Sequence, residues 1–316
     1  MESVTKNKKS FEDLQNLVST SMSVPLVSAQ ELTEGYFNAA YMLELADGRK
    51  CVMKIAPLSD ENLMSYEKGM MGAEIDAMHL AGTCRNIPVA QVYAADTSRT
   101  RCDSPYFIME CLPGESFAQR KKSLSSDTVR KIYIALGEII KNLHTITSEH
   151  FGMLAGLFTS DSWFKTFYQM MSALIDDARR KNLSLGVEPG KLLEYLRTRK
   201  PVFDQVTCAH LIHWDTWDGN ILIQNDEIKG IIDWERALWG DVLMEYNFRT
   251  FTWNKDFFEG YGQTGFSPEE KERIEWYDMY LNLILYIEAY YRMYPDRQLS
   301  EHAYERFQHI RKEMGL

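Results

Sequence analysis

Three polar residues, His213, Asp215 and Asn220, stand in the order His-x-Asp-x-x-x-x-Asn. That spacing is typical of a loop whose carboxylate accepts or orients the proton of a hydroxyl that attacks a phosphate. Asp215 is therefore the candidate catalytic base, and His213 is expected to brace the loop through hydrogen bonds. The alternative interpretation makes Asp215, Asp218 and Asn220 ordinary turn residues.

A second carboxylate follows this motif at Asp233. The apolar runs at 221–223 and 228–232 are separated by polar residues, which predicts a short hairpin that ends on Asp233. Such a hairpin would bring the amide oxygen of Asn220 close to the Asp233 carboxylate. Both are hard oxygen ligands of the kind that magnesium prefers, so the sequence predicts a magnesium site formed by these two residues.

One lysine, Lys54, lies inside the apolar run 51–55, where a charged side chain needs a partner or a ligand. Glu74 follows on a helical segment and is the expected partner, in an ion pair that aims the lysine at nucleotide phosphates. Glu67, earlier on the same helical segment, is the rival partner. The alternative for Lys54 is a side chain on an edge strand that extends to solvent.

Two further segments are candidates for contacts to a nucleotide. Gly35 and Asn38 lie between two strand-like runs, where a loop covering phosphates with its backbone N–H groups would belong. With a single glycine, an ordinary tight hairpin is the alternative. Beyond the strand predicted at 106–109, the Glu110 carbonyl and the Leu112 amide are the candidates for hydrogen bonds to adenine.

The elements that must position these residues change in character near residue 113. Alternating runs predict antiparallel strands before it, and Asp47-Gly48 predicts a hairpin turn in which both residues take positive φ. Helical spacing predicts a helix within 61–82 before 113 and a mainly helical chain after it. The predicted strands lie at 41–45, 51–55, 91–95 and 106–109, and the first two predicted helices after 113 at 129–143, capped by Ser125 or Ser126, and at 163–178. The chain is thus expected to form an N-lobe, 1–112, and a helical C-lobe, 113–316.

Composition excludes several classes of protein. A net charge of -10 over 316 residues argues against partners such as nucleic acid or anionic membrane, which select for basic surfaces. The five cysteines are scattered without a Cys-x-x-Cys pair, which indicates neither a disulfide framework nor a zinc site. No apolar leader or membrane-length apolar run is present, so we expect a cytoplasmic protein. The sequence does not indicate an oligomeric state.

Together, these residues resemble the aminoglycoside phosphotransferase-like family of small-molecule kinases, from about residue 34 to about residue 246. The likeness rests on an ordered set of segments: 35–38, Lys54, Glu74, 109–110, 143–144, 151–152, 213–220, 232–235 and 239–241. It implies an α+β, two-lobed protein-kinase-like fold with a five-stranded N-lobe, ATP and magnesium in the cleft, and transfer to a hydroxyl.

Two residues depart from the family pattern. Trp214 stands where the family often has glycine, and it is expected to narrow the approach of the acceptor. Val242 replaces the proline that commonly follows the aspartate at the position of Asp241.

The expected acceptor is a small, hydroxylated and cationic molecule such as an aminoglycoside-like antibiotic, because acidic residues recur along the C-lobe, although a solvated helix face is the alternative. These acids are Asp176, Asp177, Asp241, Glu245, Glu270, Glu272, Glu275 and Asp278. The alternative functions are a housekeeping metabolite kinase for choline or a sugar amine, and a nucleotide-binding pseudokinase scaffold. The scaffold is disfavoured because the base, the lysine and the metal ligands are all present.

Overall fold

The computed structural model describes residues 6–33, 37–59 and 62–316. Its N-terminal part is an antiparallel sheet of five strands in the order β1-β2-β3-β5-β4, with two helices. The elements are α1 (Phe11–Met22), β1 (Leu26–Leu32), β2 (Ala39–Leu45), β3 (Lys50–Ile55), α2 (Met70–Gly82), β4 (Val92–Asp96) and β5 (Tyr106–Glu110). All four strands predicted from the sequence are present, and the predicted sheet is confirmed.

The β2–β3 turn differs in detail from the prediction. Leu45 pairs with Arg49 across a three-residue loop, and within it only Gly48 has a positive φ, of 85°. The Asp47 carboxylate instead accepts a hydrogen bond from the Arg49 amide at 3.1 Å. A three-residue loop needs just one left-handed residue, its last, so the expectation for Asp47 was wrong.

The two faces of the sheet are covered by different helices. Side chains alternate along β3, so Cys51, Met53 and Ile55 pack in one cluster with α1, whereas Lys54 lies on the face toward α2. Helix α1 was not predicted. Its signals are a Ser10 capping box and three buried aliphatic side chains at helical spacing, Leu14, Leu17 and Val18. Burying each contributes about 1.5–3 kcal/mol, which holds α1 on the sheet.

Helix α2 is shorter than the helical segment predicted at 61–82. It begins at Met70, because Gly69 takes a left-handed φ of 78° that breaks the helix. Glu67 lies before this break, on a separate 3₁₀ helix, Ser65–Glu67. Glu67 and Glu74 are therefore not on one helix, as the sequence had suggested.

After residue 113 the described chain is mainly helical, with two small antiparallel sheets in the orders β11-β10-β6 and β7-β9-β12-β8. The predicted helices are confirmed as α4 and α5, and Ser125 is the N-cap of α4. The elements are β6 (Glu115–Ser116), α3 (Phe117–Arg120), α4 (Ser126–Leu143), β7 (Thr147–Ser148), β8 (Gly152–Met153), α5 (Trp163–Arg180), α6 (Pro189–Thr198), α7 (Lys200–Phe203), β9 (Ala209–Ile212), β10 (Ile221–Gln224), β11 (Glu227–Ile231), β12 (Leu238–Gly240), α8 (Lys255–Tyr261), α9 (Pro268–Tyr291) and α10 (Gln298–Glu313). In the described ranges, no helix combines the length and apolar character needed to cross a bilayer.

Helices α4 and α8 pack with their backbones in direct contact, through a glycine on each. A Cβ at Gly137 would clash with the Phe257 carbonyl oxygen, and one at Gly260 would clash with the Ile134 carbonyl oxygen. This packing matters for the site, because the Tyr261 hydroxyl on α8 shares a 2.8 Å hydrogen bond with Nδ1 of His144 at the end of α4.

We expect Gly137→Ala to lower the free energy of unfolding by about 1–3 kcal/mol, since the added methyl group forces α4 and α8 apart. Gly72→Ala is the matched control, because Gly72 lies within α2 with open space around its Cα. The control should be stabilised by about 0.5–1 kcal/mol, the helix-propensity difference between alanine and glycine. Urea unfolding followed by circular dichroism measures both changes. Equal effects of the two substitutions would contradict the packing described for α4 and α8.

Candidate functional site

The candidate base is fixed through its backbone by His213, as the sequence predicted. The Asp215 amide donates to Nδ1 of His213 at 3.2 Å, and His213 Nε2 lies 3.1 Å from the Ile232 carbonyl oxygen. Since Nδ1 accepts, Nε2 carries the hydrogen and donates. Burial lowers the pKa of His213 and so favours this neutral form. His213 therefore ties the loop to the residue that precedes Asp233.

Trp214 does not narrow the approach to the site, contrary to the expectation from the sequence. Its φ of 70° directs the ring into the core, where it is 1% exposed and stacks on Tyr280 with ring centroids 5.8 Å apart. Its carbonyl oxygen accepts a 2.8 Å hydrogen bond from Nη2 of Arg249. The left-handed backbone at Trp214 is thus held on both sides immediately before Asp215.

Glu245 accepts hydrogen bonds from the loop that carries Asp215, so its carboxylate is not free to attract an acceptor. Its carboxylate accepts from the His213 amide at 2.9 Å and from the Thr216 hydroxyl at 3.1 Å. The Asn247 side chain then donates to the same hydroxyl at 3.1 Å. His144 Nε2 lies 3.8 Å from Glu245, which links the loop to the α4–α8 packing. Sequence reasoning had interpreted Glu245 as an acceptor-side acid and missed this role.

The hairpin predicted after the loop is present and places Asn220 beside both aspartates. Strands β10 and β11 pair antiparallel, and the Ile232 amide donates to the Asn220 carbonyl oxygen at 3.0 Å, one residue before Asp233. The Asn220 side-chain amide donates to the Asp215 carbonyl oxygen at 2.9 Å. Burial raises the pKa of Asp215, which suits a group that must accept a proton, while the Arg236 charge opposes that rise.

Lys54 makes the ion pair expected from the sequence and a second one. Its ammonium lies 2.5 Å from Oε1 of Glu74 and 2.8 Å from Oδ1 of Asp233. Burial opposes the charge of Asp233, but Lys54 outweighs burial and holds the pKa of Asp233 below its ordinary value. Glu67, the rival partner, pairs instead with Arg292 at 2.6 Å. Lys54 thus joins β3 to α2 and to the residues after β11.

A third carboxylate, Glu235, belongs to the same cluster and was missed as a site residue. Oxygens of Glu74, Asp233 and Glu235 lie within 4.8 Å of one another. Burial and the charge of Asp233 raise the pKa of Glu235 to about 8. The Asn38 side-chain amide donates to Glu235 at 3.2 Å. The Asp-x-Glu spacing after β11 was the available sequence signal.

The chemistry of this cluster fits a hard divalent cation. Its donors are carboxylate and amide oxygens, which magnesium prefers. Two of these oxygens, Oε2 of Glu74 and Oδ1 of Asn38, are buried, and no described residue offers them a hydrogen bond. The carboxylates of Glu74, Asp233 and Glu235 could therefore hold such a cation, and the magnesium site expected at Asn220 and Asp233 stays a prediction.

Glu110 and Leu112, the residues predicted to contact adenine, lie at the end of β5 and just beyond it. The Glu110 amide donates to the Gln91 carbonyl oxygen at 2.8 Å, at the end of β5. The Leu112 amide has no hydrogen bond to any residue that the structure describes, so this donor is available to a ligand. The Leu112 side chain packs against Gly230 of β11. Gly35, the predicted phosphate-loop glycine, lies outside the described residues.

We expect Lys54→Ala to weaken the binding of the ATP analogue AMP-PNP by about tenfold or more, because a charge-assisted contact to phosphate is lost. Lys50→Ala is the matched control, since Lys50 is exposed at the start of the same strand. Calorimetric titration measures both affinities, and thermal unfolding checks that each variant is folded. An unchanged affinity in Lys54→Ala would contradict a role of Lys54 in nucleotide binding.

The sequence pattern of the phosphotransferase enzyme family matches residues 28–277 of the chain. Probable acyl-CoA dehydrogenase IBR3 from Arabidopsis thaliana is 21% identical over 222 residues, which cover 67% of this chain and 26% of that protein. A subtelomeric hrmA-associated cluster protein from Aspergillus fumigatus is 28% identical over 125 residues, or 39% of this chain and 24% of that protein. The chain thus spans about a quarter of the length of the curated relatives it matches.

Solved structures with the same fold include kinases of different small molecules. A putative fructosamine-3-kinase from Haemophilus somnus has a TM-score of 0.71 at 15% identity, covering 95% of this chain and 97% of that chain. Aminoglycoside phosphotransferase APH(4)-Ia, in a ternary complex with AMP-PNP and hygromycin B, has a TM-score of 0.67 at 15% identity, covering 95% and 98%. These likenesses confirm the predicted α+β, two-lobed protein-kinase-like fold.

Proposed function

The chain belongs to the phosphotransferase enzyme family and is a small-molecule kinase, and we propose that it transfers the γ-phosphate of ATP, with magnesium, to a hydroxyl of its acceptor. One arrangement carries the proposal. The β10–β11 hairpin brings Asn220, beside the Asp215 carboxylate, next to the residue that precedes Asp233. Lys54 on β3 and Glu74 on α2 meet Asp233 from the N-terminal part of the chain. A proton acceptor, a metal-binding pair and a phosphate-binding cation thus converge from three parts of the chain.

Each side chain then has a distinct task. Asp215 accepts or orients the proton of the acceptor hydroxyl, and the Asn220 amide holds the Asp215 backbone in place. Lys54 leaves or shares its contact with Asp233 to bind phosphate oxygens, while Glu74 keeps the ammonium in position. Asp233, Asn220 and Glu235 would hold magnesium, which would supply charge neutralisation for the phosphate oxygens. Glu110 and Leu112 are the proposed adenine contacts, and Gly35 and Asn38 belong to the proposed phosphate-covering segment.

Most of the acidic residues that suggested a cationic acceptor have partners within the protein. Asp177 pairs with Arg180 and accepts from the Ser65 amide, and Asp241 pairs with Arg273 at 2.8 Å. Glu270 forms the capping box of α9, and Asp278 accepts from Thr250. Together with the loop anchor Glu245, these acids do structural work, so they no longer support a cationic, aminoglycoside-like acceptor.

Two features bear on where and how the protein acts. All five cysteines are free in the structure, which supports the proposal that the protein works in a reducing compartment such as the cytoplasm. The candidate base, the lysine and the metal-binding residues are all in place, which favours a catalytic kinase over a nucleotide-binding scaffold.

A coupled ADP-release assay tests the function, with the full chain, MgATP and a panel of aminoglycosides, choline, sugars and hydroxy acids. With the acceptor that gives turnover, Asp215→Asn should lower kcat at least about 10²-fold, because the proton acceptor is lost while the shape is kept. Binding of AMP-PNP should hardly change.

The matched control is Asp226→Asn, on the β10–β11 turn. Asp226 has a φ of 62°, a conformation that asparagine tolerates well, and it is exposed. The control should keep wild-type turnover. Acceptor-dependent ADP release that survives unchanged in Asp215→Asn would contradict the assignment of the base.

A further inference from the structure

Two arginines lie close to Asp215 but differ in how their charges are balanced. The guanidinium groups of Arg236 and Arg249 both act electrostatically on the Asp215 carboxylate. Nη2 of Arg236 lies 2.9 Å from Oε2 of Glu288, so Arg236 has a carboxylate partner. In residues 6–33, 37–59 and 62–316, no carboxylate forms an ion pair with Arg249, although its side chain is only 3% exposed.

The contacts of Arg249 leave part of its guanidinium group without a hydrogen bond to any described residue. Nη2 donates to the Trp214 carbonyl oxygen at 2.8 Å, and Cζ lies 5.1 Å from the centre of the Tyr246 ring. Nε is buried and has no hydrogen-bond partner among the described residues. Since Tyr246 is itself in the electrostatic range of Asp215 and Asp218, Arg249 lies between this ring and the catalytic loop.

The Asp215 carboxylate is the charge that acts most strongly on Arg249, so this buried guanidinium shares its anion with the base and has no ion-pair partner of its own among the described residues. Removing a guanidinium from water without an anionic partner is unfavourable, and a bound anion would relieve that penalty. Asp278 and Glu245 also act on Arg249, but Thr250 donates to Asp278, and the His213 amide donates to Glu245. Asp278 and Glu245 thus already accept hydrogen bonds from other groups, whereas Nε of Arg249 has no acceptor among the described residues.

We propose that Arg249, together with Arg236, binds an anionic group of the acceptor, a carboxylate or a phosphate, so that the acceptor is a hydroxylated organic acid. This inference rests on the proposed function, because it assigns the acceptor of that same site. The planar guanidinium presents its N–H groups in a fork that matches both kinds of anion. Cζ of Arg236 lies 5.9 Å from the centre of the Tyr66 ring. The Tyr66 hydroxyl, which is buried and has no hydrogen-bond partner among the described residues, supplies a further donor in this region.

A purely structural role for Arg249 makes a different prediction. If Arg249 only holds the Trp214 carbonyl, its loss misplaces Asp215 and slows the turnover of every acceptor alike. If Arg249 also binds the anion of the acceptor, its loss raises KM for the charged acceptor and spares an uncharged analogue. Matched pairs of acceptors, which differ only in charge, separate the two roles within a single variant.

The test measures kcat and KM by ADP release for two such pairs, 3-hydroxybutyrate with 3-hydroxybutyramide, and glycerol 3-phosphate with glycerol. Choline is the cationic comparison. The wild-type chain should prefer one of the anions over its uncharged partner by about tenfold or more in kcat/KM, and the preferred pair tells carboxylate from phosphate.

Arg249→Gln should abolish that preference, mainly by raising KM for the anion, while Arg249→Lys should retain part of it because the charge remains. Arg306→Gln is the matched control, since Arg306 is an exposed arginine that acts on Asp278 from α10 without touching the loop. The control should keep the wild-type preference. Equal losses of kcat for both members of a pair in Arg249→Gln would overturn the proposal in favour of a structural clamp.

A measurement of acceptor binding tests the class of acceptor even when no turnover is observed. In the presence of AMP-PNP and magnesium, one of the two anions should raise the thermal unfolding midpoint of the wild-type chain more than its uncharged partner does, and Arg249→Gln should remove the difference. No such difference, or a larger shift with choline, would overturn the anionic acceptor. The proposed kinase function fails on a separate result, namely ADP release that does not depend on any acceptor or on Asp215.

Discussion

The ion pairs that Lys54 makes with Glu74 and Asp233 are the interaction on which the rest of the site depends. They join the sheet, helix α2 and the hairpin that follows the catalytic loop. Because Lys54 and Glu74 are largely buried, removing Lys54 leaves the Glu74 carboxylate without its cation, which typically costs about 3–5 kcal/mol. We propose that the same groups bind a nucleotide and its magnesium, so that the pairs that hold the cleft together also prepare it for phosphate.

A second network of buried ion pairs, which begins at the end of helix α9, supports this arrangement. Arg292 at the end of α9 pairs with Glu67 at 2.6 Å and with Glu288 at 2.6 Å, and Glu288 also pairs with Arg236 at 2.9 Å. Arg236 follows Asp233 by three residues, and Glu67 lies three residues before the start of α2. The network therefore fixes the positions of the turn that carries Asp233 and of the helix that carries Glu74. Its alternating charges balance one another, which explains how four ionic groups can be buried together.

Local sequence patterns predicted the structural features that depend on residues close together in the chain. The alternation along β3 placed Lys54 opposite its buried neighbours, and the polar turn after Ile223 predicted the hairpin that brings Asn220 near Asp233. Contacts between segments that are far apart in the sequence could not be predicted from it. The sequence favoured Glu74 over Glu67 but did not show the break at Gly69 that separates them. The inward ring of Trp214 depends on a φ that its sequence does not indicate. The acids of the C-lobe were misread for the same reason, since their arginine and backbone partners lie up to about a hundred residues away.

The central claim is that phosphate passes from ATP to a hydroxyl of a small acceptor. Phosphorus NMR of the full chain with MgATP and the hydroxylated panel tests it most directly, because a phosphate ester and free orthophosphate give separate signals. The account predicts a phosphomonoester signal that grows in step with ADP. Orthophosphate as the sole product, with every acceptor present in turn, would contradict it.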